Sequence, residues 1–427
     1  MSEPRPLRVA VLARSVYPLH RYGGLERHVY DLARCLADRN VAVTLVAPPY
    51  APSRPQDRAA DAILDRSLAK AIAVPYQTFP FANRRGTTVL DRSTAYPLFG
   101  YRAGRIAADL VSAGAVDIVH AFGASALGYA LAPPGVRRRA PFVLNPQGME
   151  EFGATDPSRA GLKRLAYWPL QVAVRRSARV AQCVIATDRV LVEPVLKHLQ
   201  VSAEVVRMIP NAIEPAECDS AASAGRAEEL RRSIGLSSGG RLLVSVGRLE
   251  ANKGFDVMVR ALERLVITGR LPSEWRWVLV GDGPQRASLE QQIARAGLGG
   301  RVILRGREPK EDLHAWYEAA TVFVHPTLYE GSSIVTLEAM AHRRAVIASN
   351  AGGLPDKVVP GETGWLVPPG DDRPLADAIA DAIGDPSRLV AMGTAGRVLV
   401  EREFSWTAAA DLLLVAYRDL LSRSGSM

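Results

Sequence analysis

At 427 residues the chain is too long for one ordinary hydrophobic core, and two domains of about 200 residues are the default expectation. With 48% hydrophobic and 23% charged residues it is neither disordered nor fibrous, and three distant cysteines without a CxxC argue against a disulfide framework or a zinc site and fit a reducing cytoplasm. The net charge of +9 is uneven: residues 1–204 hold 27 Lys+Arg against 16 Asp+Glu (+11), and the remainder 26 against 28 (−2).

That basic half, with Arg137-Arg138-Arg139 and Arg175-Arg176, suits either an ordinary solvated surface or attraction to an anionic membrane face or phosphorylated acceptor. Aromatic residues do not interleave with the basic pairs, so nucleic acid is not an expected partner. RPLRVAVLARS turns charged after one strand length, which argues against a signal peptide. The longest uncharged stretch, Ile118 to Val136, holds His120, three glycines and Pro-Pro, so it reads as strand plus helix and not as a membrane span.

In chain order, LRVAVLA reads as a strand, and Leu25, Val29, Leu32 and Leu36 form one helical face after it. VAVTLVAPP, VDIVHAF, APFVLNP, AQCVIAT and VVRMIPN are further strands, apolar throughout as parallel strands covered on both sides are. A second series opens at RLLVSVG, continues with a helical face of Phe255, Val259, Leu262 and Val266, and runs through WRWVLVG, RVILRG, ATVFVHP, RAVIAS and TGWLVP. Small polar residues separate the series. The expected organisation is therefore a first Rossmann-like domain over 1–210, a linker over 211–240, a second over 241–404, and a helix over 405–427 bracing the two. The fold class is α/β, two doubly wound parallel sheets facing a cleft.

Ligands of such sheets bind beyond the carboxyl ends of the strands, where Gly23-Gly24, Gly281-Asp282-Gly283, Gly331 and Gly352-Gly353 fall. Glycine there lets backbone N–H groups approach an anion. GDGPQR carries Arg286 where a GxGxxG has its third glycine, against a nicotinamide site. In SVGRLEANKGFD, Arg248 and Lys253 share one loop bounded by Gly247 and Gly254, so two cations can converge on a diphosphate.

YEGSSIVTLEAM brings two acids, Glu330 before a helix and Glu338 inside it, with Ser332 or Ser333 as the cap. Glu338 would then lie about one and a half turns into the helix, roughly 8 Å further along its axis. A glycosidase pair is not excluded by distance, but a helix start between two acids invites phosphate. A nucleotide sugar, hydroxylated at both ends and phosphorylated between, fits better. His325 reads as a packed strand-end residue.

GGLERHVYDLARCLADR, VVRMIPNAIE, SVGRLEANKGFDVMVRAL, LVGDGP, the E-x7-E of YEGSSIVTLEAMA, NAGGLPDKV and TGWLVPPGD occur in this order. Together they resemble the glycosyltransferases of family 4, retaining enzymes of the GT-B fold. The resemblance implies a nucleotide-sugar donor (UDP- or GDP-linked) on the second domain and a sugar, lipid-linked or phosphorylated acceptor on the first. It implies Arg248 and Lys253 on the diphosphate, Glu330 on sugar hydroxyls, Glu338 on the ribose, and backbone N–H groups near Ser333, Ile334 and Val335 on phosphate. Gly23 and Gly24 would close on phosphate or acceptor, the backbone of Arg305 to Arg307 would face the base, and His120 would act near the acceptor. Catalysis would use no metal or other cofactor. Hexosyl transfer in cell-surface polysaccharide or glycolipid synthesis, in the cytoplasm or at the inner membrane face, is the expected function. A nucleotide-sugar epimerase on the same fold is one alternative; Phe122 and Gln147, which stand where many members carry histidine, keep a non-catalytic carbohydrate-binding relative as another.

Overall fold

The computed structural model describes residues 5–20, 24–49, 58–77, 88–147, 149–153, 165–221 and 223–424. The chain divides into two compact units, residues 1–211 with 406–427, and residues 212–405.

The first unit is built on a seven-stranded parallel sheet in the order β3-β2-β1-β4-β5-β6-β7. Its strands are β1 (Leu7–Leu12), β2 (Val41–Ala47), β3 (Leu68–Ala73), β4 (Ile118–Phe122), β5 (Phe142–Asn145), β6 (Cys183–Ala186) and β7 (Val206–Met208). The apolar runs become central strands because both faces are covered: every residue of β4, β5 and β6 is buried. Strand order reverses between β1 and β4, which pair in parallel with Val11 opposite His120. In the helix Gly24–Ala37, Val29, Leu32 and Leu36 are buried as their spacing predicts. One strand escaped the sequence reading. LAKAIA forms β3 at the sheet edge, where only one neighbour is needed and most of its residues stay partly or fully exposed.

The second unit has a six-stranded parallel sheet, β10-β9-β8-β11-β12-β13. These are β8 (Arg241–Val246), β9 (Trp275–Val280), β10 (Val302–Gly306), β11 (Val322–His325), β12 (Val346–Ser349) and β13 (Gly364–Val367). Here the order reverses between β8 and β11. The helix Phe255–Ile267 buries Phe255, Val259 and Leu262, but Leu265 and not Val266 completes the face, and Val266 is exposed.

Two boundaries differ from the sequence reading. Residues 212–240, expected as a linker, belong to the second unit and carry the helices Pro215–Ala221 and Ala224–Ser233. Cys218, Ala227, Leu230 and Leu236 enter its core with Trp316 and Phe323. Arg231 is buried there, its guanidinium donating to the carbonyls of Ala319 (2.8 Å) and Gly240 (2.6 Å). A polar composition conceals this because the charged head is satisfied by backbone oxygens. The C-terminal helix, Trp406–Ser424, belongs to the first unit. Its Trp406 meets the His28 ring edge-on at 4.8 Å, and its Asp411 pairs with Arg39 at 2.9 Å. Among the described residues, no helix is long and apolar enough to cross a membrane.

Candidate active site

In the second unit, the reversal between β8 and β11 leaves two adjacent strands whose following loops diverge, the place where an open parallel sheet offers a crevice. The loop after β8 ends in a short 3-10 turn, Ala251–Lys253, and that after β11 runs to Ser333. They are sewn together: the carbonyl of Asn252 accepts from Leu328 N–H (2.8 Å) and Thr327 Oγ1 (2.9 Å). Gly254, at φ +64°, has its Cα against the Pro326 carbonyl, where any Cβ would collide. Gly352, at φ +55°, stands likewise against the Glu330 carbonyl. These glycines allow loop to meet loop, so Gly352, read from sequence as an approach to an anion, has a structural task.

This stitching brings Lys253 Nζ to 2.6 Å from Glu330 Oε2. His325, at the end of β11 and wholly buried, donates from Nε2 to the same oxygen at 2.9 Å. Gly331 N–H donates to Oε1 at 3.2 Å. Burial by itself would raise the Glu330 carboxyl, but the His325 hydrogen bond and the Lys253 charge outweigh it and bring it down to about 2. Glu330 is therefore a fixed anion. His325 is the residue that sequence reasoning assigned to packing. Its only signal was its place at the end of a central strand, five positions before Glu330.

Glu338 lies in the helix Ile334–Ala341, half-buried, and accepts from Tyr317 Oη at 2.8 Å. Burial, then the nearby Glu338 charge, pushes the Tyr317 phenol well above its ordinary range, so it stays a donor. Tyr317 also went unread in the sequence. Ser333 occupies the helix N-cap position, but its buried hydroxyl meets Thr336 Oγ1 at 2.8 Å in place of a backbone N–H. The expected side-chain cap is thus absent, and the N–H groups of Ile334 and Val335 belong to the first turn, which lacks intrahelical partners.

The expected pairing of two cations takes another form. Lys253 is bound to Glu330, while Arg248 is 74% exposed and pairs with Glu250 at 2.9 Å. Each cation thus has a carboxylate beside it. Gly247 tolerates more than expected, since a Cβ there would touch only the Phe255 ring at ordinary distance. Gly331 contributes its N–H to Glu330 and its carbonyl to Gly353 N–H (3.1 Å).

In the first unit, a cavity of about 350 Å³ lies at the carboxyl ends of β4 and β5 and is lined by Arg14, Glu26, Arg92, Tyr96, Phe122 and Gln147, among others. Phe122 is on its wall. His120 is not: it is buried, stacked on the Phe122 ring at 5.1 Å, with Nδ1 2.6 Å from Tyr417 Oη. Burial, and then the proximity of His28, lowers its imidazole to about 3. His120 thus lies beneath Phe122 and off the cavity wall. Gln147 holds φ at +61°, uncommon for a residue with a side chain, and its buried Nε2 has no partner among the described residues. Gly24 opens the first helix, and Gly23 lies outside the described residues.

Two families match the chain: Glycosyl transferases group 1 over residues 226–399 and Glycosyltransferase Family 4 over residues 22–217. The alpha-maltose-1-phosphate synthase of Mycolicibacterium smegmatis is 30% identical, covering 96% of this chain and 99% of that protein. The 2-deoxystreptamine glucosyltransferase of Streptomyces kanamyceticus is 32% identical over 59% of this chain and 63% of its own length, so the match spans less than two thirds of that relative. Among solved structures, Anabaena Alr3699/HepE in complex with UDP superposes with a TM-score of 0.70 at 20% identity, covering 97% of this chain and 100% of that one. WaaG, a glycosyltransferase involved in lipopolysaccharide biosynthesis, gives 0.65 at 19% identity, covering 95% and 99%. Two Rossmann-like sheets with these neighbours define the GT-B class of fold. The chain belongs to the family 4, group 1 glycosyltransferases.

Proposed function

We propose that this glycosyltransferase moves a hexosyl unit from a UDP- or GDP-sugar to an acceptor hydroxyl with retention at the anomeric carbon. The contact between Lys253 and Glu330 at the strand-order reversal of the second unit carries this reading. An ammonium has three donors, and Glu330 takes one of them. The others are available to diphosphate oxygens. The His325 and Lys253 contacts hold the Glu330 carboxyl low, which favours its ionised form and does not suit the protonated general acid of a glycosidase pair. As a fixed anion it suits sugar hydroxyls, and Glu338, oriented by Tyr317, suits the ribose.

In the proposed step the acceptor oxygen bonds to the anomeric carbon as the bond to the diphosphate oxygen breaks. The acceptor proton passes to the departing phosphate. Lys253, with Arg248 turned from Glu250, stabilises the charge developing on the leaving group, the task a divalent cation performs in other transferases. We propose no metal or other cofactor for this step. The cavity with Arg14, Arg92 and Gln147 suits a hydroxylated acceptor bearing an anionic group. Maltose-1-phosphate formation by one relative and lipopolysaccharide-core mannosyl transfer, named for another from Rhizobium leguminosarum, support sugar-phosphate or lipid-linked acceptors and a role in cell-surface glycan synthesis. The basic excess of residues 1–204 supports attraction to an anionic membrane face in the cytoplasm.

A panel of UDP- and GDP-sugars, read by nucleoside diphosphate release with and without added Mg²⁺ or Mn²⁺ and by NMR of the product anomer, tests this. Release from one donor that needs no added Mg²⁺ or Mn²⁺ and gives a retained anomer is expected. An inverted product, or isomerised donor without nucleotide release, overturns it.

A further inference from the structure

A second cluster of ligating groups lies behind Glu338. Cys218 comes from the helix Pro215–Ala221, His314 from the helix Lys310–Ala319, and His342 caps the helix Ile334–Ala341. They are only 4%, 3% and 2% exposed, and their ligating atoms lie within 4.8 Å of one another. His314 Nδ1 and His342 Nε2 are 2.8 Å apart. The opposite nitrogen of His342, Nδ1, faces Glu318 Oε2 at 3.3 Å, and Arg344 holds the other Glu318 oxygen at 3.1 Å.

The cluster places a thiol and two imidazoles side by side in a core. As a donor set, sulfur with two ring nitrogens suits Zn²⁺ better than Mg²⁺ or Ca²⁺, which take oxygen. Metal-bound imidazoles commonly donate their far N–H to a carboxylate, which fixes the tautomer and raises ligand basicity. Glu318 is so placed on His342, leaving Nε2 to face the cluster. Bonds of about 2.0 Å to nitrogen and 2.3 Å to sulfur set tetrahedral ligand separations of roughly 3.3–3.5 Å. The two ring nitrogens would open by about half an ångström to admit the ion, and the Cys218 thiol, in a set of ligating atoms within 4.8 Å of one another, would rotate inward to close on it.

We propose that Cys218, His314 and His342 form a binding site for a thiophilic divalent cation, Zn²⁺, that ties three helices of the second unit together. Its role is in the scaffold and separate from the sugar-transfer step. It also reaches the donor side: the Tyr317 ring lies on His342 at 5.7 Å and 11°, and the same Tyr317 donates to Glu338. The site rests on its own geometry and stands whether or not the donor reading does.

The test is titration of the untagged, metal-free full chain with Co²⁺. One equivalent should bind with the visible bands of a tetrahedral ion and a near-ultraviolet thiolate charge-transfer band, and Zn²⁺ should displace it. Cys218→Ser should abolish the charge-transfer band and weaken Co²⁺ binding more than about 100-fold, beyond the roughly 10–100-fold expected for the outer-shell variant Glu318→Gln. His314→Gln should also weaken binding more than about 100-fold, and it replaces the cysteine variant if that one fails to fold. A wild-type protein that is folded by circular dichroism yet shows no thiolate band with Co²⁺ overturns the proposal. So does an unchanged band in folded Cys218→Ser.

Discussion

Lys253 and Glu330 are 77 positions apart in the chain, yet the ammonium and carboxylate are 2.6 Å apart. Their meeting depends on backbone contacts, with the Asn252 carbonyl shared by Thr327 and Leu328, and Gly254 against Pro326. The pair is a local feature of two loops that a parallel sheet sets side by side.

Lys253→Ala should lower kcat by about 10²-fold or more, the usual cost of losing one donor to developing charge. KM for the donor should change less. Steady-state kinetics on the donor identified by the panel would check this, and unchanged turnover would remove Lys253 from the mechanism.

The Glu330 pairing should make the second unit acid-sensitive. Its folded-state carboxyl is depressed from 4.5 to about 2, so the stability it contributes is present above 4.5 and is lost as pH falls toward 2. The full effect is on the order of 3 kcal/mol. Urea unfolding between pH 6 and pH 2.5 should show a drop in stability that Glu330→Gln reduces.

Glu338→Ala should weaken UDP or GDP binding by about tenfold or more, and Tyr317→Phe by a smaller factor, since it removes one hydrogen bond to a charged acceptor. Calorimetry with either nucleotide can separate the two. Wild-type affinity in Glu338→Ala would refute its assignment to the ribose.

Gly352→Ala should destabilise the second unit by about 2 kcal/mol or more, because a left-handed φ and a collision with the Glu330 carbonyl act together. Resistance to limited proteolysis should fall relative to the wild type. An equally resistant variant would show that this loop contact is loose.

His120 should act on stability and geometry more than on proton transfer. Its imidazole is lowered from 6.5 to about 3, so its neutral burial contributes stability that is lost as pH falls from 6.5 toward 3. His120→Gln should blunt acid unfolding of the first unit over that window. Turnover should fall less than in Lys253→Ala, and the pH dependence of kcat should keep its shape.

Twelve of the thirteen strands among the described residues were legible: the central ones write their burial into the sequence as an unbroken apolar run, and the edge strands β7, β10 and β13 still carry short apolar pieces. The missing one, β3, is an edge strand with small residues around Lys70, every position in it partly or fully exposed. Lys253 and Glu330 were readable as charged residues beside glycines in loops after strands, where ligands of this fold bind, and Glu338 through its spacing from Glu330. His325 and Tyr317 were not, since a buried histidine or tyrosine in an apolar segment looks the same whether it fills space or orients a carboxylate.

The sequence alone determined the alternation of strand and helix, the two-domain organisation and the family motifs, all of which depend on residues near one another in the chain. Only the tertiary structure decided that residues 212–240 enter the second core, that the last helix completes the first unit, and that Lys253 pairs with Glu330. It alone assembled Cys218, His314 and His342 in one cluster. Each of these rests on contacts between distant segments, and short-range pattern carries no record of which buried groups will meet.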